Sequence, residues 1–160
     1  MAHRLGHRAG ERTVGPARLV LDTQVWLDLL VFDDPHVQPL REALHGGRAI
    51  ALMDARMRDE LARVLGYPQL ALDDAARTRT LAQASAWALC VPAAEPSATG
   101  PRCRDPDDQM FVDLALAQQA DALLSRDGEL LRLAPRMRRA GVAVMPPAEW
   151  RGGADQISKR

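Results

Sequence analysis

Apolar positions follow two rhythms along this chain, short unbroken runs and spaced faces, and the two alternate from one end to the other. The stretch Ala17 to Asp22 carries Leu19-Val20-Leu21, an uninterrupted run whose length predicts a buried strand. Val25, Leu27, Leu29, Leu30 and Val31 follow as a helical pattern, which Asp33-Asp34-Pro35 breaks. A second helix is expected from about Val37 to Leu44, with Gly46-Gly47 ending it, and Ala49 to Met53 reads as a short buried strand. Asp54 is placed to cap a helix through Met57, Leu61, Val64 and Leu65 that closes at Gly66-Tyr67-Pro68, with Glu60 inside it. Asp73 or Asp74 caps an Ala-rich helix reaching about Trp87. Ala88 to Val91 is a weaker strand pattern, followed by a loop rich in Pro, Ala and Ser from Pro92 to Arg104.

The second half repeats the alternation. Asp105-Pro106-Asp107-Asp108 has the form of a helix start, a proline and several acids in the first turn, and a dense apolar face follows it to about Ala117. Asp121 to Ser125 is the next strand, with Arg126-Asp127-Gly128 at its carboxyl end. A short helix from about Glu129 to Leu133 leads into a basic stretch, Arg132, Arg136, Arg138 and Arg139, and Gly141 introduces a last strand, Val142 to Met145. Strands alternating with helices point to an α/β fold, one parallel sheet of four to five strands with helices on both faces; no internal repeat is visible.

Composition narrows this picture. A chain of 160 residues is the size of one domain with a core of its own, and with 47% hydrophobic but only 4% aromatic residues that core should be mainly Leu, Val and Ala. Twenty-one basic and 21 acidic residues cancel, which weighs against a protein that holds nucleic acid by bulk charge alone but leaves room for an enzyme whose bound cations supply positive charge. Cys90 and Cys103 stand in unrelated contexts without zinc-ligand spacing and read as free thiols of a reducing cytosol. No apolar run approaches the roughly 18 residues of a membrane span. The first sixteen residues have arginines but no apolar core of a signal peptide. They read as a disordered basic tail, as a start codon placed too early, or as an arm touching RNA or DNA; Arg151 to Arg160 reads as a frayed tail. The domain proper is expected at 17–150.

Candidate chemistry lies in the acids. Asp22 and Asp127 directly follow predicted strands, while Glu60 and Asp108 sit near the starts of helices that follow a strand or a loop, so in a parallel sheet all four belong at one end. Carboxylates placed together repel unless a cation joins them, and an oxygen-only donor set suits Mg²⁺ or Mn²⁺ and not zinc. Each acid also has a plainer role open to it. Asp22 could cap the helix after the first strand, Glu60 could be solvated surface, at least two of Asp105, Asp107 and Asp108 could serve the helix dipole, and Asp127 could be a turn residue.

The ordered set resembles a known family. Leu21-Asp22-Thr23-Gln24-Val25, then Asp59-Glu60-Leu61 with Val64-Leu65, then Asp105-Pro106-Asp107-Asp108 with Leu114-Ala115-Leu116-Ala117, then Ala120 to Asp127 with Leu130-Leu131, is similar to the PIN-domain nucleases. It looks most like the branch described as toxin components of bacterial toxin–antitoxin systems. The likeness runs from about Ala17 to Trp150, Pro147 to Trp150 resembling the closing segment; no single motif is specific, but the order is. The resemblance implies a three-layer α/β/α sandwich and a metal-dependent endoribonuclease with Asp22, Glu60, Asp108 and Asp127 as metal ligands. Asp105 is the rival for the third position. Thr23 and Ser125 match small hydroxyl positions beside the site, there to hold a metal-bound water or a phosphate oxygen. Gln24 stands where the family commonly has Asn, keeping the amide and lengthening its reach.

On this reading Mg²⁺ or Mn²⁺ activates a water that attacks phosphorus in RNA, and Arg126, Arg132, Arg136, Arg138 and Arg139 either guide the phosphate backbone or form a solvated basic helix end. The resemblance further implies a small antitoxin protein over the acidic groove, self-association through helices, and a cytoplasmic location. Two other classes compete: a catalytically inactive PIN-like module for RNA or protein binding, and an aspartyl phosphotransferase, whose pattern wants a second Asp where Gln24 stands.

Overall fold

The computed structural model describes residues 15–152. Most of the tail expected at 1–16 and of that expected at 151–160 lies outside the described residues. Five strands form one parallel sheet: β1 (Ala17–Leu21), β2 (Ala49–Met53), β3 (Ala88–Cys90), β4 (Ala122–Leu124) and β5 (Ala143–Met145), in the order β3-β2-β1-β4-β5. The register sets Leu19 between Ala51 of β2 and Ala122 of β4. Leu19, Val20 and Leu21 are buried, as are Ala122, Leu123 and Leu124, because a central parallel strand is covered on both faces and has no polar side to show.

Helices α1 (Thr23–Leu30), α2 (Gln38–His45), α3 (Ala55–Leu65), α4 (Asp74–Trp87), α5 (Gln109–Ala117), α6 (Gly128–Leu131) and α7 (Ala134–Arg139) flank the sheet, completing an α/β/α sandwich. Helix α1 packs against α3 and α4, α2 lies on β2, α5 spans β1 and β4, and α7 lies on β5. Three of the long helices begin with an aspartate whose carboxylate accepts a backbone N–H: Asp22 from Val25, Asp54 from Met57 and Asp73 from Ala76. Of the two acids open for the last position, Asp73 is the cap. Gly141 leaves α7 with φ +90°, a left-handed turn that glycine adopts without steric cost.

Three local differences from the sequence reading have simple causes. The expected helix start at Asp105 is a separate 3-10 turn, Pro106–Asp108, before α5, and three more such turns start at Pro35, Pro68 and Pro147. Proline fixes φ and lacks an N–H, so it opens a turn but favours a break before a longer helix. The basic stretch after Leu133 contains a further helix, α7, which periodicity does not reveal because Met137 is its one buried residue. Strand β2 has the expected bounds, and the other four are shorter than expected by one or two residues, Asp22, Val91, Asp121, Ser125 and Val142 all falling just outside them.

The core is mostly Leu, Val and Ala, as composition implies, but its largest fully buried side chains are Trp150 and Phe111. Trp150 closes the core from the chain's far end, where the Pro147–Glu149 turn meets the Pro35–Val37 turn. Cys90 is exposed, Cys103 is buried, and both are free thiols. Among the described residues no helix is long and apolar enough to cross a membrane.

Candidate active site

The chain leaves β1 toward β2 on one side of the sheet and returns from β3 to β4 on the other, so β1 and β4 are neighbours whose connections depart in opposite directions. In an open parallel sheet this divergence opens a crevice beyond the carboxyl ends of the strands. Here Asp22 directly follows β1, and Ser125-Arg126-Asp127 directly follows β4. The cleft, of about 550 Å³, is lined by Asp22, Thr23, Gln24, Glu60, Asp108, Arg126 and Asp127, with Leu27, Val64 and Phe111 as apolar wall and Arg63 and Tyr67 completing it.

Asp22 is 6% exposed and is both a helix cap and a cleft residue. One carboxylate oxygen accepts the Val25 N–H at 3.0 Å, and the other accepts the hydroxyl of Ser125. Burial pushes its pKa above the ordinary value, the Ser125 and Val25 hydrogen bonds pull it down, and the charges of Asp127 and Asp28 push it up again. Ser125 is fully buried, and its Oγ also accepts the Asp127 N–H at 2.9 Å. One hydroxyl therefore ties the carboxylate after β1 to the backbone after β4.

Asp127 caps α6 by accepting the Glu129 N–H at 2.8 Å. Asp108, at the junction between the Pro106–Asp108 turn and α5, meets the Asp127 carboxylate through a side-chain hydrogen bond. Its pKa is pushed up to about 7, first by burial, then by that bond, and then by the charges of Asp127, Asp105 and Asp22. Such neighbours disfavour a second negative charge in the Asp108–Asp127 pair. Among the described residues no arginine or histidine forms an ion pair with Asp22, Asp108 or Asp127.

The four expected acids thus line one cleft, but not as one knot. Glu60 is turned aside, one oxygen accepting the Thr23 hydroxyl at 2.5 Å and the other facing Arg63 at 3.4 Å. Among the described residues no group of three His, Cys, Asp or Glu side chains is already drawn together as a metal-holding cluster. The chemistry of the donors still fits a hard divalent cation: carboxylate oxygens alone, with Asp22, Asp108 and Asp127 paired to no cationic side chain among the described residues, and a raised Asp108 pKa that a cation would offset. Asp105 does not line the cleft; its carboxylate caps the turn, accepting the Asp107 N–H at 2.9 Å.

Sequence reasoning missed Asp28. It is 2% exposed on α1 and grips Arg126 through two hydrogen bonds of 2.9 Å each. Gln24, one turn earlier on α1, donates to the same carboxylate at 3.3 Å, so its amide helps anchor Arg126. An acid on the apolar face of a predicted helix was the signal that could have found it, since buried charge requires a partner. Arg132, Arg136, Arg138 and Arg139 do not line the cleft, and Arg132 faces Glu129 at 3.6 Å. The cations at the acidic site are Arg126 and Arg63, from β4's end and α3.

No curated protein matches the chain. A family model described as the PIN domain matches residues 18–129, a span from the second residue of β1 to just past Asp127 that takes in all four cleft acids. Because that match covers well over half of the 160 residues, the chain belongs to the PIN-domain family, whose members are generally nucleases.

Proposed function

We propose that this PIN domain is a divalent-metal-dependent endoribonuclease, the toxin of a toxin–antitoxin pair. The observation that carries the nuclease reading is the meeting of Asp22, Asp108 and Asp127, from three separate elements, in one cleft with no cationic side chain paired to them. Asp22, Asp108 and Asp127, with Glu60, would hold Mg²⁺ or Mn²⁺. When bound, such a cation supplies positive charge to the phosphate and acidity to water. Ser125 and the Val25 N–H hold the Asp22 carboxylate in a fixed orientation, and Asp28 aims Arg126 along the cleft, where it can meet a phosphate oxygen. Leu27, Val64 and Phe111 supply the apolar part of the cleft lining. RNA as the substrate, the toxin role, an antitoxin partner, self-association and a cytoplasmic setting draw support from the likeness of the ordered motif set to that branch. Asp22→Asn is expected to abolish cleavage of single-stranded RNA in Mn²⁺ while leaving the circular dichroism spectrum and melting unchanged in shape; full cleavage by that variant would remove the mechanism.

One observation favours the competing reading of an inactive binding module. The acids are not gathered into a ready-made metal group, and Glu60 is engaged by Thr23 and Arg63. Calorimetric titration with Mn²⁺ separates the two: the nuclease shows a saturable site that depends on Asp22 and Asp108, and the module shows none.

A further inference from the structure

Helix α3 and the residues just after it present Glu60, Arg63, Val64 and Tyr67 to the cleft. Glu60, Arg63 and Val64 share one face of α3 at i, i+3 and i+4, and Tyr67, in extended backbone just past the helix end, continues that lining, so the wall runs from the acid into a cation, an aliphatic residue and an aromatic ring. Tyr67 is the single tyrosine of the chain and is 40% exposed, whereas Phe111, the other aromatic of the cleft, is 1% exposed. A ring serving only as core would be buried in the same way. Tyr67 is instead held by its surroundings with much of its surface open. Its N–H bonds the Val64 carbonyl at 2.9 Å, and Pro68 follows it. The Arg63 guanidinium lies 5.7 Å from its ring centroid, with one nitrogen 2.5 Å from the phenol oxygen and another facing Glu60 at 3.4 Å.

We infer that Tyr67, braced by Arg63, is a nucleobase-binding position of the cleft, where an unpaired base adjoining the phosphodiester held at the acids stacks on the Tyr67–Arg63 pair. The inference rests on the nuclease reading of the same cleft and adds the residue that engages a base. Three features direct it to a base and not to another apolar ligand. An exposed ring with a guanidinium against it is the platform on which bases stack in single-strand-binding proteins. The guanidinium offers charge to the adjoining phosphate. Finally, a chain with equal basic and acidic counts, and with Arg63 and Arg126 as the cleft cations among the described residues, lacks the bulk charge that would hold RNA by backbone contacts alone. A base inside a duplex has no free face for such a platform, so the bound nucleotide is unpaired.

The test uses the full chain carrying Asp22→Asn, to suppress cleavage, in Mn²⁺, with fluorescein-labelled single-stranded oligoribonucleotides read by anisotropy. Adding Tyr67→Ala is expected to weaken binding roughly tenfold, the scale of one base stack, while Tyr67→Trp and Tyr67→Phe keep the parental affinity. A set of oligonucleotides with one abasic sugar moved along the strand should reveal one position at which base loss weakens parental binding by about the same factor and leaves the Tyr67→Ala protein unaffected. Parental affinity in Tyr67→Ala, or equal losses at every abasic position in both proteins, overturns the inference. Cleavage by the chain with Asp22 intact is scored separately. Absent cleavage with the position-specific pattern retained sinks the nuclease reading alone, and cleavage with no such pattern sinks the base subsite alone.

Discussion

Ser125 donates its hydroxyl to the carboxylate of Asp22, although the two residues stand 103 positions apart in the chain. Because Oγ also accepts the Asp127 N–H, this fully buried side chain joins the two strand ends that carry the acids. Ser125→Ala leaves the Asp22 oxygen and the Asp127 N–H without that partner. The expected result is a loss of about 1–3 kcal/mol in urea unfolding together with at least a tenfold drop in cleavage. An unchanged midpoint and unchanged rate would show that the bridge orients nothing.

Arg126 and Asp28 form the second tie between β4's end and α1. Arg126→Ala removes both 2.9 Å bonds and leaves a buried carboxylate with Gln24 as its side-chain donor, so it should destabilise the fold by about 1–3 kcal/mol. Pairing it with Asp28→Asn, isosteric and uncharged, should recover much of that stability while cleavage stays low. Thermal melts of the two single variants and the double variant check the cycle; additive losses would mean that the residues act independently.

Stability should fall as pH rises across the window set by Asp108. The folded carboxyl keeps its proton up to about pH 7, whereas an ordinary aspartate releases it near 3.8. Between those values the folded state binds more protons than the unfolded chain, so the contribution is fully present at about pH 4 and lost as pH passes 7. Asp22, also raised, moves in the same direction, and Asp34, lowered by its bonds from His36, acts only below the window. Asp108→Asn should melt higher than the parent at pH 8 and similarly at pH 4. In metal-free buffer, melting temperatures against pH that rise toward pH 8 for the parent would contradict this assignment.

The basic residues of α7 lie outside the acidic cleft. Replacing Arg136, Arg138 and Arg139 together by Gln should therefore leave single-stranded RNA cleavage within about twofold, because none of them lines the cleft and salt screens charges that act through solvent. Arg63→Gln, on the cleft wall, should by contrast raise KM. Parallel kinetics on the two proteins would show at once if the α7 arginines carry the backbone.

The order of elements was legible in the chain because each is a local decision. Leu19-Val20-Leu21 has the length and purity of a buried strand, Asp54 and Asp73 have the side chains that close a helix start, and Gly141 marks the turn before β5. The placing of Asp22 and Asp127 at one end of the parallel sheet follows from the same order, since the positions just after β1 and β4 share an edge, whereas Glu60 and Asp108 stand on helical elements. Helix α7 was not legible, because one buried residue, Met137, leaves no period to read. What only tertiary structure decided is which side chain faces which. Asp108 lines the cleft while Asp105, three residues away, caps a turn; Glu60 bends to Thr23 and Arg63; Gln24 serves Asp28 and not the acid cluster; and Tyr67 turns from the end of a helix into the wall of a site. Those outcomes depend on distances between elements far apart in the chain. Periodicity fixes a residue's place along its own helix or strand, but packing sets the neighbour across the gap.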